Sequence, residues 1–207
     1  MGRIFASLYD LMLRRAEHAC LRAWRRDLLL DVGGEVLEIG AGTGLDLPHY
    51  RRDAITRLVL AEPDAAMRRR LARCVERENW SRAELADARA ESLPFPDASF
   101  DVVVSTLVLC SVADPALVLS EVRRVLRATG RFLLIEHVAA APGSRLRKWQ
   151  ARLDPIWRRC AGGCRLARET TRSIEQAGFS IAALASTELA GVPPFVRPAI
   201  RGSAMRS

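Results

Sequence analysis

Lysine, paired cysteines and long apolar runs are all scarce in this sequence, and each shortage excludes something. No uninterrupted apolar run approaches the roughly 18 residues that suggest a membrane-spanning helix. Ile4, Phe5 and Leu8 are apolar, but Asp10 breaks any secretory core there, and Asp10 with Glu17 argues against an acid-poor transit peptide. A soluble, cytoplasmic domain is expected. The five cysteines, Cys20, Cys74, Cys110, Cys160 and Cys164, are odd in number and irregularly spaced, which argues against a disulfide framework. Cys160 and Cys164 lie one helical turn apart, yet no second Cys or His pair completes a zinc pattern, so no metal is expected. His18 and His49 have no motif around them and read as surface or packing residues.

Of the 32 basic residues only Lys148 is lysine, a bias that reads as the codon usage of a GC-rich genome. The net charge of +8 therefore says little about nucleic acid, and its location says more. Residues 145–172 hold nine basic residues against Asp154 and Glu169. The chain has 207 residues, 49% of them hydrophobic, which fits one domain burying roughly 70% of its unfolded surface. Disordered and fibrous classes are excluded.

Apolar spacing predicts a helix over 4–30. Short apolar strands follow at 35–39, 57–61, 82–86, 100–105 and 132–137, with helices predicted at 64–78 and 115–128, the latter stopped by Gly130. Strands apolar throughout and alternating with helices imply a parallel sheet covered on both faces. Beyond them come helical stretches at 143–159 and 171–177, then two β-rich stretches, 179–188 and 196–205, expected to form an antiparallel pair at one sheet edge.

Glu38-Ile39-Gly40-Ala41-Gly42-Thr43-Gly44 stands where the first strand ends and a helix should start. Glycines there allow a tight turn and close backbone approach to a ligand. Glu62, at the end of the second strand and 22 residues after Gly40, can accept hydrogen bonds from two ribose hydroxyls. Leu45 occupies the third glycine position of the dinucleotide fingerprint, and no Gly-x-x-x-x-Gly-Lys occurs. The bland alternative is a tight turn with no ligand.

Gly-x-Gly-x-Gly behind Glu38, with Glu62 downstream, resembles the class I S-adenosylmethionine (SAM) methyltransferases. The resemblance implies an α/β, Rossmann-like, doubly wound fold with a mostly parallel seven-stranded sheet and an antiparallel edge strand. It implies cofactor contacts from Glu38, Gly40, Ala41, Gly42, Gly44, Glu62 and Pro63, with Ala90 and Glu91 beside the adenine and Thr106 and Leu107 beside the methionine part. Arg89 departs from the Asp frequent there, and Asp87 is the nearest acid.

A longer string is more specific: Glu121-Val122-Arg123-Arg124-Val125-Leu126, Glu136-His137-Val138, Trp149-Gln150, Asp154-Pro155-x-Trp157 and Gly163-Cys164-x-Leu166-x-Arg168-Glu169-Thr170. Over roughly 34–205 it resembles the membrane-associated alkyl-thiol S-methyltransferases, whose long hydrophobic N-terminal anchor has no counterpart here. A broader similarity reaches the quinone-biosynthesis C-methyltransferases and phospholipid N-methyltransferases, and includes Tyr9-Asp10. The implied activity is methylation of a small apolar acceptor, a thiol first, with a lipid amine or quinone ring as alternatives. A binding protein for nucleotides or nucleic acid without catalysis is the non-enzyme alternative. Against a nucleic-acid partner, Ser105-Thr106-Leu107-Val108 replaces the motif of base-amino methyltransferases.

Within one domain of 1–207, residues 1–30 would form an N-terminal helical lid and 143–172 a basic helical insertion over the acceptor site. A monomer is expected. His137, at a strand end, is the candidate base, or else a hydrogen-bonding cap of that strand. Asp154 is a weaker candidate, or the organiser of a turn before Pro155. Leu146, Trp149, Leu153, Ile156 and Trp157 share one helical face with basic residues between them. That face suits either an anionic membrane surface or packing on the sheet.

Overall fold

The computed structural model describes residues 14–206. Of the helix expected over 4–30, the part before residue 14, Tyr9 and Asp10 included, lies outside the described residues. A π-helical turn, Glu17–Leu21, runs into α1 (Arg22–Leu29). There follow β1 (Gly34–Ile39), β2 (Ile55–Ala61), α2 (Ala65–Arg77), β3 (Ala83–Ala86), β4 (Phe100–Thr106), α3 (Pro115–Val125) and β5 (Leu126–His137). The chain closes with α4 (Arg145–Cys160), α5 (Thr170–Gln176), β6 (Phe179–Glu188) and β7 (Pro198–Arg206).

All seven strands join one sheet in the order β3-β2-β1-β4-β5-β7-β6. The first five are parallel, and β7 runs antiparallel to both β5 and β6. The antiparallel strand is thus one place in from the edge, which β6 occupies.

Side chains alternate across the pleat and feed two cores. Leu37, Ile39, Val103, Phe132 and Leu134 face Val118, Leu119 and Val122 of α3 and Ile174 of α5. Val36, Leu58, Val102, Val104 and Leu133 face the other way, toward Leu29 of α1 and Leu71 and Cys74 of α2. Each large side chain fully buried this way contributes roughly 1.5–3 kcal/mol.

Caps set the helix starts. Asp64 accepts from the backbone N–H of Ala66 and Met67, and Asp114 does the same for Ala116 and Leu117, with Pro115 in the first turn.

Two expected boundaries are corrected. Helix α3 stops at Val125 instead of running to 128, because Leu126 turns extended and is fully buried at the sheet beside Phe100. Gly130 accordingly lies within β5 and stops no helix. The helix expected after the glycine turn is a single 3₁₀ turn, Leu47–His49, with Pro48 inside it.

Helix α4 continues through Pro155, so Asp154 sits on a helix and organises no turn before the proline. Its apolar stripe is divided. Leu146, Leu153 and Trp157 are half-buried, while Trp149 and Ile156 are 55% and 64% exposed. The residue that anchors the helix is polar: buried Gln150 accepts from Ala140 N–H and donates to the carbonyls of Phe195 and Val138.

Candidate active site

At the carboxyl end of β1 the chain reverses through Gly40, Gly42 and Gly44, at φ +59°, +58° and +88°. A Cβ on Gly40 would come within 2.6 Å of a Val108 methyl, whereas one on Gly42 would meet nothing nearer than 3.9 Å. The open space beside Gly42 is a cavity of about 540 Å³, a volume in the range of small-ligand sites. It lies where the ends of β1, β2 and β4 converge, the place where open α/β sheets receive ligands.

Eight of the eleven expected cofactor residues line this cavity: Gly40, Gly42, Glu62, Pro63, Ala90, Glu91, Thr106 and Leu107. Glu62 is 5% exposed, and its two carboxylate oxygens accept from Gly42 N–H (2.9 Å) and Asp64 N–H (2.8 Å). Each oxygen keeps a further lone pair for a ligand hydroxyl. Burial raises the Glu62 carboxyl above its ordinary pKa, against the two N–H donors that favour its charged form.

The other three residues sit behind the wall. Ala41 donates its N–H to Ala61, and Gly44 packs on Leu71 and Cys74. Glu38 accepts from Tyr50 Oη at 2.9 Å, and burial raises its pKa well above the usual carboxylate range, helped by nearby Asp46. Asp46 itself is held by Arg25 at 2.6 Å and by Thr106 Oγ1 at 2.8 Å. This buried network fixes the backs of both turns that shape the cavity.

Sequence reasoning gave Glu136 no role, yet it organises the turn after β4. Fully buried, it accepts from Ser105 Oγ (2.8 Å) and from the N–H groups of Val108 (3.0 Å), Leu109 (2.9 Å) and Cys110 (3.2 Å). That grip matches the left-handed backbone of Leu107, φ +59°, at the cavity wall. Its signal was present: an acid placed directly after the apolar run Phe132–Ile135, still within the strand. Met67 and Arg89 also line the cavity, Arg89 reaching Glu91 at 3.5 Å, whereas Asp87 pairs with Arg68.

Arg158 at the end of α4, the segment Ala161–Gly163 and Arg165 line the same cavity. Of the basic stretch 143–172, this portion borders the cavity, while Leu146, Arg147 and Arg168 to Arg172 border a separate hollow. The segment is tied down by Arg165 N–H on Cys110 O (2.8 Å) and by Leu166 N–H on Asp154 Oδ1 (2.6 Å). Asp154 therefore secures the loop and does not line the cavity. His137 is 1% exposed and does not line it either; its Nδ1 lies 3.7 Å from Cys164 Sγ. Cys164 has turned toward His137 and Cys110, while Cys160, its neighbour by spacing, is exposed.

Comparison with known proteins gives the same picture. A methyltransferase domain family matches residues 37–134. Thiol S-methyltransferase TMT1B of Rattus norvegicus is 36% identical over 177 residues, spanning 83% of this chain and 70% of that protein. The chain belongs to the SAM-dependent methyltransferases.

Phosphatidylethanolamine N-methyltransferase of Cereibacter sphaeroides is a further relative of this methyltransferase, 38% identical over 54% of each chain. In fold, it matches geranyl diphosphate C-methyltransferase from Streptomyces coelicolor, solved with S-adenosyl-L-homocysteine. The TM-score is 0.74 at 14% identity, covering 93% of this chain and 82% of that one. SAM is the methyltransferase's cofactor, and the cavity fits it: acceptor oxygens of Glu62 for ribose, and side-chain-free space at Gly42. Among the described residues no helix is long and apolar enough to cross a membrane.

Proposed function

We propose that this methyltransferase acts on a small apolar thiol and gives a methyl thioether. The observation carrying the reading is the composition of the cavity lining: apolar Leu107, Val108 and Val112 stand with three arginines, Arg89, Arg158 and Arg165. A thiol reacts as thiolate, and a free thiol of pKa about 8.5 is only a few per cent ionised at neutral pH. A positive field over an apolar pocket raises that fraction without a dedicated base. The likeness to a thiol S-methyltransferase supports the same acceptor.

When bound, SAM supplies a methyl group activated by its sulfonium. The chain's own work is placement. Glu62 would take the ribose hydroxyls, Ala90 and Glu91 would flank the adenine, and Gly40, Gly42 and Pro63 would let the backbone approach. Thr106 and Leu107 would face the methionine portion, with the Thr106 hydroxyl held by Asp46 and the flanking Ser105 and Val108 held by Glu136. The acceptor would lose its proton to solvent, and the cavity would hold its sulfur against the methyl that SAM supplies, with S-adenosylhomocysteine as the other product, so much of the rate would come from orientation. His137, sealed behind Cys164, is a positioning residue in this reading, and Asp154 steadies the loop above the acceptor. The His137→Ala variant should then keep the wild-type shape of its rate profile from pH 6 to 9.

A second acceptor, a phospholipid amine, is favoured by α4. Exposed Trp149 and Ile156 stand among Arg145, Lys148, Arg152 and Arg159, an arrangement suited to an anionic lipid surface. One assay separates the two: transfer of labelled methyl from SAM with a small alkyl thiol, hydrogen sulfide and phosphatidylethanolamine liposomes in parallel. Label in the thiol products upholds the first reading, and label in lipid alone replaces it with the second. Sedimentation with anionic liposomes at low salt tests the membrane contact, which absence of binding would reject.

A further inference from the structure

The turn after β4, the end of β5 and the segment after α4 bring Cys110, His137 and Cys164 together. One ligand-capable atom from each lies within 4.8 Å of the others. We propose that this cluster is a binding site for one zinc(II) ion. The proposal goes beyond the methyl-transfer reading and does not depend on which acceptor is used.

The donor set is the first argument. Two thiols and an imidazole are soft and borderline ligands that select zinc over magnesium or calcium, which take oxygen. Distance is the second. With Zn–S near 2.3 Å and Zn–N near 2.0–2.1 Å, tetrahedral ligands stand about 3.6 Å apart for a sulfur–nitrogen pair. His137 Nδ1 and Cys164 Sγ are 3.7 Å apart. Any wider pair must close by about 1 Å, and Cys164 follows Gly162 and Gly163, both at positive φ. The third argument is the ring itself. His137 is 1% exposed, and its Nε2 is buried with no hydrogen-bond partner among the described residues. Nε2 caps nothing, which argues against the strand-cap role, and ligation through Nδ1 would anchor a ring otherwise held by one long contact to the Cys164 thiol.

Three protein ligands leave one tetrahedral position for water. Binding exchanges two S–H bonds for two S–Zn bonds and sends two protons to the buffer, with no change of oxidation state. The ion would clamp the 161–166 segment to the Ser105–Cys110 turn, fixing one wall of the cofactor cavity. Sequence spacing concealed the site because its ligands lie 27 residues apart each time.

The test uses the full chain, purified under reducing conditions, stripped with a chelator and titrated with cobalt(II). Thiolate-to-cobalt charge-transfer absorption should saturate at one equivalent, and zinc should abolish it. It should weaken at least tenfold in apparent affinity in Cys164→Ser and in His137→Asn, and remain unchanged in the exposed Cys160→Ser. Absorption absent from the wild type, or persisting in Cys164→Ser and Cys110→Ser alike, would overturn the site. So would a Cys110–Cys164 disulfide that mass spectrometry finds surviving in the folded protein after purification under reducing conditions. Cys110 is buried and its variant can fail to fold; Cys164 is partly exposed, and retained SAM binding by its variant shows that the fold survives.

Discussion

Glu136 offers a sharp test of how the cavity is held in shape. Its carboxylate takes four hydrogen bonds, three from backbone N–H groups, of which those of Leu109 and Cys110 are buried. In Glu136→Ala those three donors are orphaned. At about 1–1.5 kcal/mol each, the loss is about 3–5 kcal/mol, a large part of a domain's stability. In Glu136→Gln the amide oxygen can keep the three bonds made by one carboxylate oxygen and forfeits the longest, from Cys110. The amide also escapes the cost of burying a charge, so its net change should stay within about 1 kcal/mol. Burial raises the Glu136 pKa in the fold, so ionisation costs stability as pH rises from the unfolded value through the folded one. Glu136→Gln should therefore gain on the wild type as pH rises through that window. Urea unfolding of the three proteins between pH 4 and 8, with SAM affinity at pH 7.5, is the assay. Equal destabilisation by Ala and Gln, or a Glu136→Ala loss below about 1 kcal/mol, would refute the reasoning.

Glu62→Gln should weaken SAM binding about tenfold by calorimetry, the loss of about 1.4 kcal/mol expected for one charge-assisted bond. Wild-type affinity should also fall as pH drops through the raised pKa of Glu62, a trend the Gln variant should lack. Gly42→Ala should cost about 1 kcal/mol of stability for its positive φ but weaken SAM much more, since the added methyl projects into the cavity. Gly40→Ala should instead unfold more readily, because its methyl meets Val108. Glu121 has its pKa lowered chiefly by its bond to Arg124, so their pair stabilises above the ordinary carboxylate range and that contribution fades as pH falls through the folded value. The Glu121→Gln stability difference should thus shrink between pH 7 and pH 3, from an initial size near 1 kcal/mol for this half-exposed pair.

The strands were legible because their apolar residues are continuous, and the order of glycine turn and acidic residue marks the place of the cavity in the sequence. Elements whose ends depend on tertiary burial were less so. Gly130 looked like a helix stop by propensity, yet burial of Leu126 ended α3 earlier. The Trp149 and Ile156 positions fit one helical stripe by spacing, but the helix docks through a neighbouring face, where Gln150 bonds to Val138, Ala140 and Phe195. Within the site, backbone-approach glycines and Glu62 could be read locally. Glu136 and the Cys110–His137–Cys164 cluster could not, since each joins segments far apart in the chain and needs the β4–β5 pairing to exist.

The proposed activity requires the cavity at Gly42 and Glu62 to bind SAM and deliver its methyl group to a thiol. Incubation of the pure protein with methyl-labelled SAM and a small alkyl thiol measures that directly. Labelled methyl thioether, lost together with SAM affinity in Glu62→Ala, is the predicted result. Bound SAM with no label in thiol, while phosphatidylethanolamine liposomes become labelled, would contradict it.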